Sequence, residues 1–467
     1  MSKRPNGVKM YPLTNSQLAA VVMQEFCLHK NVVQVPVYLI AEKAIDFDLM
    51  RRAIAEEIAR NDSLRIFYCK EKKQILQYFL PEYALPEVPF LDFTGATQDS
   101  LMAWLKKDAA TPVRYQNGES WRMKLFRTPD GRSGIYLNIN HASMDLFAVF
   151  AFFKDLLEVY DALEKGTELP RPLSRFEDVI QKEYARAADQ EKQAQHRRFY
   201  LDYFSKAGTS FYAGIDSMRQ LNAMRKKKKD PNFSCVNSLD LLHDKSETLK
   251  CHISGEETAR MLDFCMEQKT TMQSLVYMGM RTWLSRYNEN TRDVYVLSLL
   301  NRRATLAEKR CGGCMMDSVP LRMVLEENVT FAEALRRTTD TSREVMRHAD
   351  MPSGEMFKVM EEVEQRKMPG ANTASMLFSV LPHGAFTAPE GWKVELGGVS
   401  SGRFCFVLYT LMIPSLVDNG MDCYYEYRSH AATQKELQAF HEGTVNVIRQ
   451  GMANPEITLG QLLQTVE

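Results

Sequence analysis

The sequence predicts an α/β fold shared between two domains, and three observations carry that reading. Strand-like β-branched runs alternate with amphipathic helical stretches, the alternation breaks once near the middle, and 467 residues exceed what one hydrophobic core usually gathers. Composition is that of an ordinary globular chain, with 45% hydrophobic and 25% charged residues. No apolar run reaches the ~18 to 20 residues that span a bilayer, which argues against a membrane protein. Lysine plus arginine and aspartate plus glutamate balance at 59 each, so no global field favours nucleic acid or anionic lipid.

Residues 1–12 hold a few basic side chains with no apolar segment behind them, unlike a secretory leader. The nine cysteines form no closely spaced, even framework, and the two features together predict a cytoplasmic protein with reduced thiols. Residues 32–41 are β-branched and read as a strand. Over 46–60, Phe47, Met50, Ile54, Ala55 and Ile58 recur at helical spacing behind Asp46 and Asp48, which predicts an amphipathic surface helix. Residues 63–68 and 74–79 read as two strands of a hairpin, and 135–140 as a strand running into an apolar helix over 145–165 that Gly166 closes.

Residues 176–204 are charged and helical. Over 205–245 periodicity fails, and Arg225, Lys226, Lys227, Lys228 and Lys229 follow in one run, read as a solvated loop, with contact to an anionic carrier protein or a coenzyme A phosphate as the lesser alternative. The domain boundary is therefore placed ahead of this linker, giving domains 1–180 and 181–467. The second domain resumes with a strand at 248–253, helices at 256–268 and 272–287, a strand at 293–300 and an α/β stretch over 403–463.

One local pattern has catalytic content. Asn140, His141, Ala142, Ser143, Met144, Asp145 and Leu146 put a histidine at a strand end and an aspartate four residues on, at the mouth of an apolar helix. Imidazole, with an ordinary pKa near ~6.5, takes a proton at neutral pH, and a helix N-terminus offers N–H groups to developing negative charge. Taken alone, an HxxxD pattern fits a buried structural histidine better than a catalytic one. Cys311 and Cys314 form a CxxC without the second ligand pair that a zinc site needs, so no metal is expected.

Order and spacing of motifs along the chain resemble the condensation-domain superfamily, which includes chloramphenicol acetyltransferase-like acyltransferases. Residues 11–17 (YPLTNSQ) are similar to that family's opening segment, and Leu64 and Arg65 to its "LR". NHASMDL resembles HHxxxDG, with His141 at the second histidine. Residues 292–303 resemble the strand that ends in a family arginine, matched by Arg303, and GCMMDSVPLR resembles GxFVNTxPLR. Asn140, Leu146, Asp317 and Ser318 depart from the family residues, and no DFGWG-like segment is found, which suggests a divergent, stand-alone member.

The resemblance implies two chloramphenicol acetyltransferase-like lobes in a V-shaped pseudo-dimer. It implies acyl transfer from a phosphopantetheine thioester, either coenzyme A or a carrier protein, to an amine or alcohol, with no tightly bound cofactor. His141 is the implied catalytic base, and Asp145 with Arg303 an implied structural salt bridge. Asn140, Ser143, Met144, Gly313, Asp317 and Ser318 are candidate oxyanion or substrate contacts. Implied partners are a small-molecule acceptor and an acyl or peptidyl carrier protein, with the chain a monomer. The alternative reading is a catalytically silent scaffold that recruits a carrier protein.

Overall fold

A computed structural model describes residues 7–116, 118–237, 243–365 and 371–465. The chain is mixed α/β and forms two compact units. The first comprises Met1–Ala188, Asn301–Asp317 and Gly384–Arg403, and the second Asp189–Leu300, Ser318–His383 and Phe404–Glu467. The leader expectation falls partly on residues 1–6, outside the described residues.

The first unit is built on a five-stranded sheet ordered Val394–Gly398, Gln34–Ala41, Ser133–Asn140, Trp121–Arg127, Phe90–Asp92. Ser133–Asn140 is central and buried along its whole length, which fits a strand covered on both faces. It pairs antiparallel with Gln34–Ala41 in the register Gln34 to Asn140. The following helix, Leu146–Lys165, is capped by Asp145 and ends at Gly166 in the left-handed conformation. It packs on Phe47–Arg60, whose N-cap is Asp46. A separate three-stranded sheet joins Tyr11–Pro12, Gln74–Phe79 and Ile66–Glu71.

The second unit carries a six-stranded sheet ordered Met316–Val324, Asp293–Asn301, Leu377–Val380, Leu408–Pro414, Met421–Arg428, Ser246–Ile253. Helix Met272–Tyr287 is buried from Ser274 to Ser285. Gly279 lets helix Gln434–Ala453 approach closely, since a Cβ there would stand 2.8 Å from the Thr444 carbonyl oxygen.

Three expectations need correction. Residues 63–65 belong to a 3-10 turn, Asp62–Arg65, held by the Asn61 side chain on the Ser63 N–H, and the strand starts only at Ile66. The basic run is the last turn of a helix, Arg219–Lys228, rather than a loop. Lysines there complement the helix's C-terminal partial charge, and Arg225 Nε donates to the Phe233 carbonyl 3.0 Å away. Residues 205–245 also hold the strand Val236–Asn237, while 238–242 lie outside the described residues. Finally, the described helices Asn15–Phe26, Gln98–Ala109, Leu306–Lys309, Phe331–Arg347 and Ser353–Val363 go beyond the sequence reading.

Candidate active site

Strand Ser133–Asn140 ends by delivering His141. The ladder continues one step beyond it, with the Asn140 N–H on Ser120 O at 2.7 Å and the His141 N–H on Val33 O at 3.0 Å. Of residues 140–145, His141 alone keeps partial exposure. Burial in poorly solvated surroundings lowers the imidazole pKa, opposed by the Asp145 charge and by a hydrogen bond with the residue's own backbone. The ring is thus held toward its neutral, proton-accepting form. Its Nδ1 lies 3.9 Å from Cys314 Sγ, a neighbour the sequence did not announce. The Cys314 thiol is buried, which raises its pKa well above the ordinary range and keeps it protonated.

Asp145 turns to the protein. One carboxylate oxygen accepts from the Ala148 N–H at 2.9 Å, and the other accepts from Arg303 Nη1 and from the Met315 N–H, each at 2.7 Å. Arg303 also reaches the Gly313 carbonyl at 2.5 Å and Asn301 Oδ1 at 3.0 Å, and both members of the ion pair are almost fully buried. Arg302, next in sequence, faces Glu183 at 3.6 Å. Gly313 is required because the Phe176 ring fills the space that a Cβ there would take.

Several candidate contacts are engaged elsewhere. Asn140 is buried; its Nδ2 donates to Val113 O at 2.8 Å and Gln24 Oε1 at 3.1 Å, and its Oδ1 accepts from the Ala142 N–H. It pins the loop and is not exposed to a substrate. The Ser143 hydroxyl is buried between Tyr68 and Ser120 at 3.0 and 2.6 Å. The Ser143 and Met144 N–H groups both point to Asn140 O, at 2.9 and 3.4 Å, so they are not free oxyanion donors, and the Met144 side chain is buried. Asp317 is buried in the first unit, while Ser318 belongs to the second. The hydroxyl chain and the glutamine pair Gln17–Gln77, bonded at 2.7 Å, were missed. For Gln17 the sequence signal is the capping box with Thr14, which gives its side chain a structural task.

A family model described as condensation domain matches residues 8–467. The chain belongs to the condensation-domain family. Curated relatives include surfactin synthase subunit 1 of Bacillus subtilis (strain 168), 21% identical over 97% of this chain, and surfactin synthase subunit 2 of the same organism, 21% identical over 98%. This condensation domain spans only 12% of the length of each of those relatives. Among solved structures, the first condensation domain of the calcium-dependent antibiotic synthetase with a substrate analogue superposes at TM-score 0.80 and 17% identity, covering 97% of this chain and 99% of that one. A variant of the starter condensation domain of rhizomide synthetase in complex with C8-CoA gives TM-score 0.80 at 16% identity, covering 97% of each. These likenesses show the fold. Condensation domains are amide-forming acyltransferases, which sets the broad reaction class. Among the described residues no helix is long and apolar enough to cross a membrane.

Proposed function

We propose that this condensation domain moves an acyl group from a phosphopantetheine thioester, carried by coenzyme A or by a carrier protein, to an amine or hydroxyl acceptor, with His141 as general base. The observation that carries the reading is the state of His141: part-exposed, held toward the neutral form, and set on a loop whose every other side chain from 140 to 145 is buried. A neutral imidazole takes the proton from the acceptor as its nitrogen or oxygen attacks the thioester carbonyl. The C–S bond then breaks, the proton passes to the departing sulfur, and amide or ester plus free thiol are the products. Asp145 is tied to Arg303, Met315 and Ala148, so its role here is to fix where His141 stands. The scheme calls for no metal and no covalent enzyme intermediate.

The test incubates the purified chain with acyl-coenzyme A donors of graded length, and with the same acyl groups on a carrier protein, against a panel of amines and alcohols. Thiol release matched one-to-one by amide or ester is expected. Its kcat/KM should fall as pH drops through the His141 pKa, which burial holds below the ordinary ~6.5. Carrier binding without product from any donor would replace this reading by a silent recruiting scaffold.

A further inference from the structure

Outside the His141 site, two cysteines stand directly opposite each other on neighbouring strands. Strands Met421–Arg428 and Ser246–Ile253 pair antiparallel, and their register places Cys423 against Cys251. One step past the strands the Ser429 N–H donates to Lys245 O at 3.0 Å, so that facing pair is of the hydrogen-bonded kind. Facing pairs alternate in type, and counting back in twos from Ser429 reaches Cys423. Cys423 and Cys251 are therefore also a hydrogen-bonded pair, with Cα atoms about 5.5 Å apart, inside the ~4.4 to 6.8 Å window of a disulfide.

Both side chains share the face that Met421, Tyr425 and Tyr427 bury against Leu249 and Ile253. Neither sulfur is firmly held. Cys251 Sγ meets Gln438 Oε1 at 3.6 Å and Cys423 Sγ meets Met421 O at 3.8 Å, and both cysteines are free thiols. Cys423 is fully buried while Cys251 is part-exposed on the sheet's edge strand, so a small oxidant reaches Cys251 first.

We propose that Cys251 and Cys423 are a modification site for peroxide-type oxidants, which join them in a disulfide that clamps the edge strand Ser246–Ile253 to Met421–Arg428. The Cys251 sulfur attacks hydrogen peroxide, giving a sulfenic acid and one water. The Cys423 sulfur then displaces a second water from that sulfenic acid and forms the S–S bond, so two thiols and one peroxide yield one disulfide and two waters. Burial raises the Cys423 thiol pKa, with charge on Cys251 adding to it, and burial followed by Glu442 raises that of Cys251. Oxidation is accordingly slow at neutral pH and quickens as pH rises. A Cβ separation wider than a relaxed disulfide prefers makes the bond readily reducible. The site is independent of the His141 chemistry.

The experiment treats the full chain with hydrogen peroxide, blocks remaining thiols with N-ethylmaleimide and maps the digest by mass spectrometry. The peptides holding Cys251 and Cys423 should appear joined, two hydrogens lighter than their sum, and separate again with dithiothreitol. Amide exchange over 246–253 should slow at least about tenfold in the oxidised form. Cys423→Ser should lose the bridge and accumulate a dimedone-trappable sulfenic acid at Cys251. Recovery of both cysteines as alkylated thiols while others, such as Cys311 and Cys314, oxidise would overturn the proposal. So would terminal oxidation of Cys251 with no bridge in the wild-type chain.

Discussion

Asp145 makes three hydrogen bonds at once, and each reaches a different piece of chain: its own helix, Arg303 and the Met315 amide. Removing one member of a buried ion pair leaves a charge unpaired in poorly solvated surroundings, at about 3–5 kcal/mol. Asp145→Asn and Arg303→Met should therefore each lower the melting temperature, and the double variant should be less stable than wild type by clearly less than the sum of the two losses. Calorimetry of the four proteins measures that coupling. Additive losses would show that the pair does not act as a unit. His141 and Asp145 stand out locally through the HxxxD pattern, whereas the pairing of Asp145 with Arg303, 158 residues away, was expected only through the family resemblance. Cys314 beside the imidazole, the Met315 amide on Asp145 and the burial of Ser143 were not legible, because backbone donors and side-chain direction leave no residue-type signal. The sequence makes Asn140 a candidate oxyanion or substrate contact for the same reason, although its amide bonds Gln24, Val113 and Ala142.

At the scale of elements, helix Asn15–Phe26 is turned inside out. Its inward face carries the polar Ser16, Gln17 and Gln24 beside a single buried apolar residue, Val21, whereas Leu18, Val22 and Phe26 point to solvent at four-residue spacing. Gln24 is the hub, accepting from the Asn140 side chain and the Tyr115 N–H and donating to Lys30 O. Gln24→Leu, apolar and close in size, should still cost about 1–3 kcal/mol by orphaning buried donors. Val22→Thr should stay within about 0.5 kcal/mol, as surface changes do; denaturant melts of both compare them. Equal losses would mean that the polar network is not what holds this helix.

A second element links the turn at residues 415–420 to the start of helix Gly255–Glu267. His252 bonds Asp418 and Asp422 at 2.9 Å each, and Asp418 also accepts from the Gly255 N–H. Those hydrogen bonds to carboxylates raise the His252 pKa. A raised imidazole stabilises the fold fully below its ordinary ~6.5 and loses that contribution as pH climbs through the raised folded value. His252→Gln should accordingly flatten the fall of melting temperature with pH above about 6.5. An unchanged slope would remove His252 from the pH response. The carboxylate contacts were unreadable from sequence, because Asp418 and Asp422 stand 166 and 170 residues away. Elements with a clean apolar period and a cap, such as Met272–Tyr287, were legible to the residue. The amphipathic helix Phe331–Arg347, capped by Thr330, offered the same signals and was overlooked.

For the whole molecule, the alternation of strands and helices was legible, while the exchange of chain between units was not. Segments Asn301–Asp317 and Gly384–Arg403 fold with the first unit although more than a hundred residues separate them from its main body. The first brings Arg303 to Asp145, and the second supplies Val394–Gly398 beside Gln34–Ala41. Pairing of distant segments is decided by complementary edges and buried charge, which a local period cannot encode. The central claim is that this architecture sets up one neutral imidazole for acyl transfer. The most direct measurement is single-turnover acyl transfer by wild-type and His141→Ala protein, with melting temperatures taken alongside. The account predicts a loss of about 10²- to 10⁴-fold in rate with little change in stability. Undiminished turnover by a well-folded His141→Ala protein would contradict it.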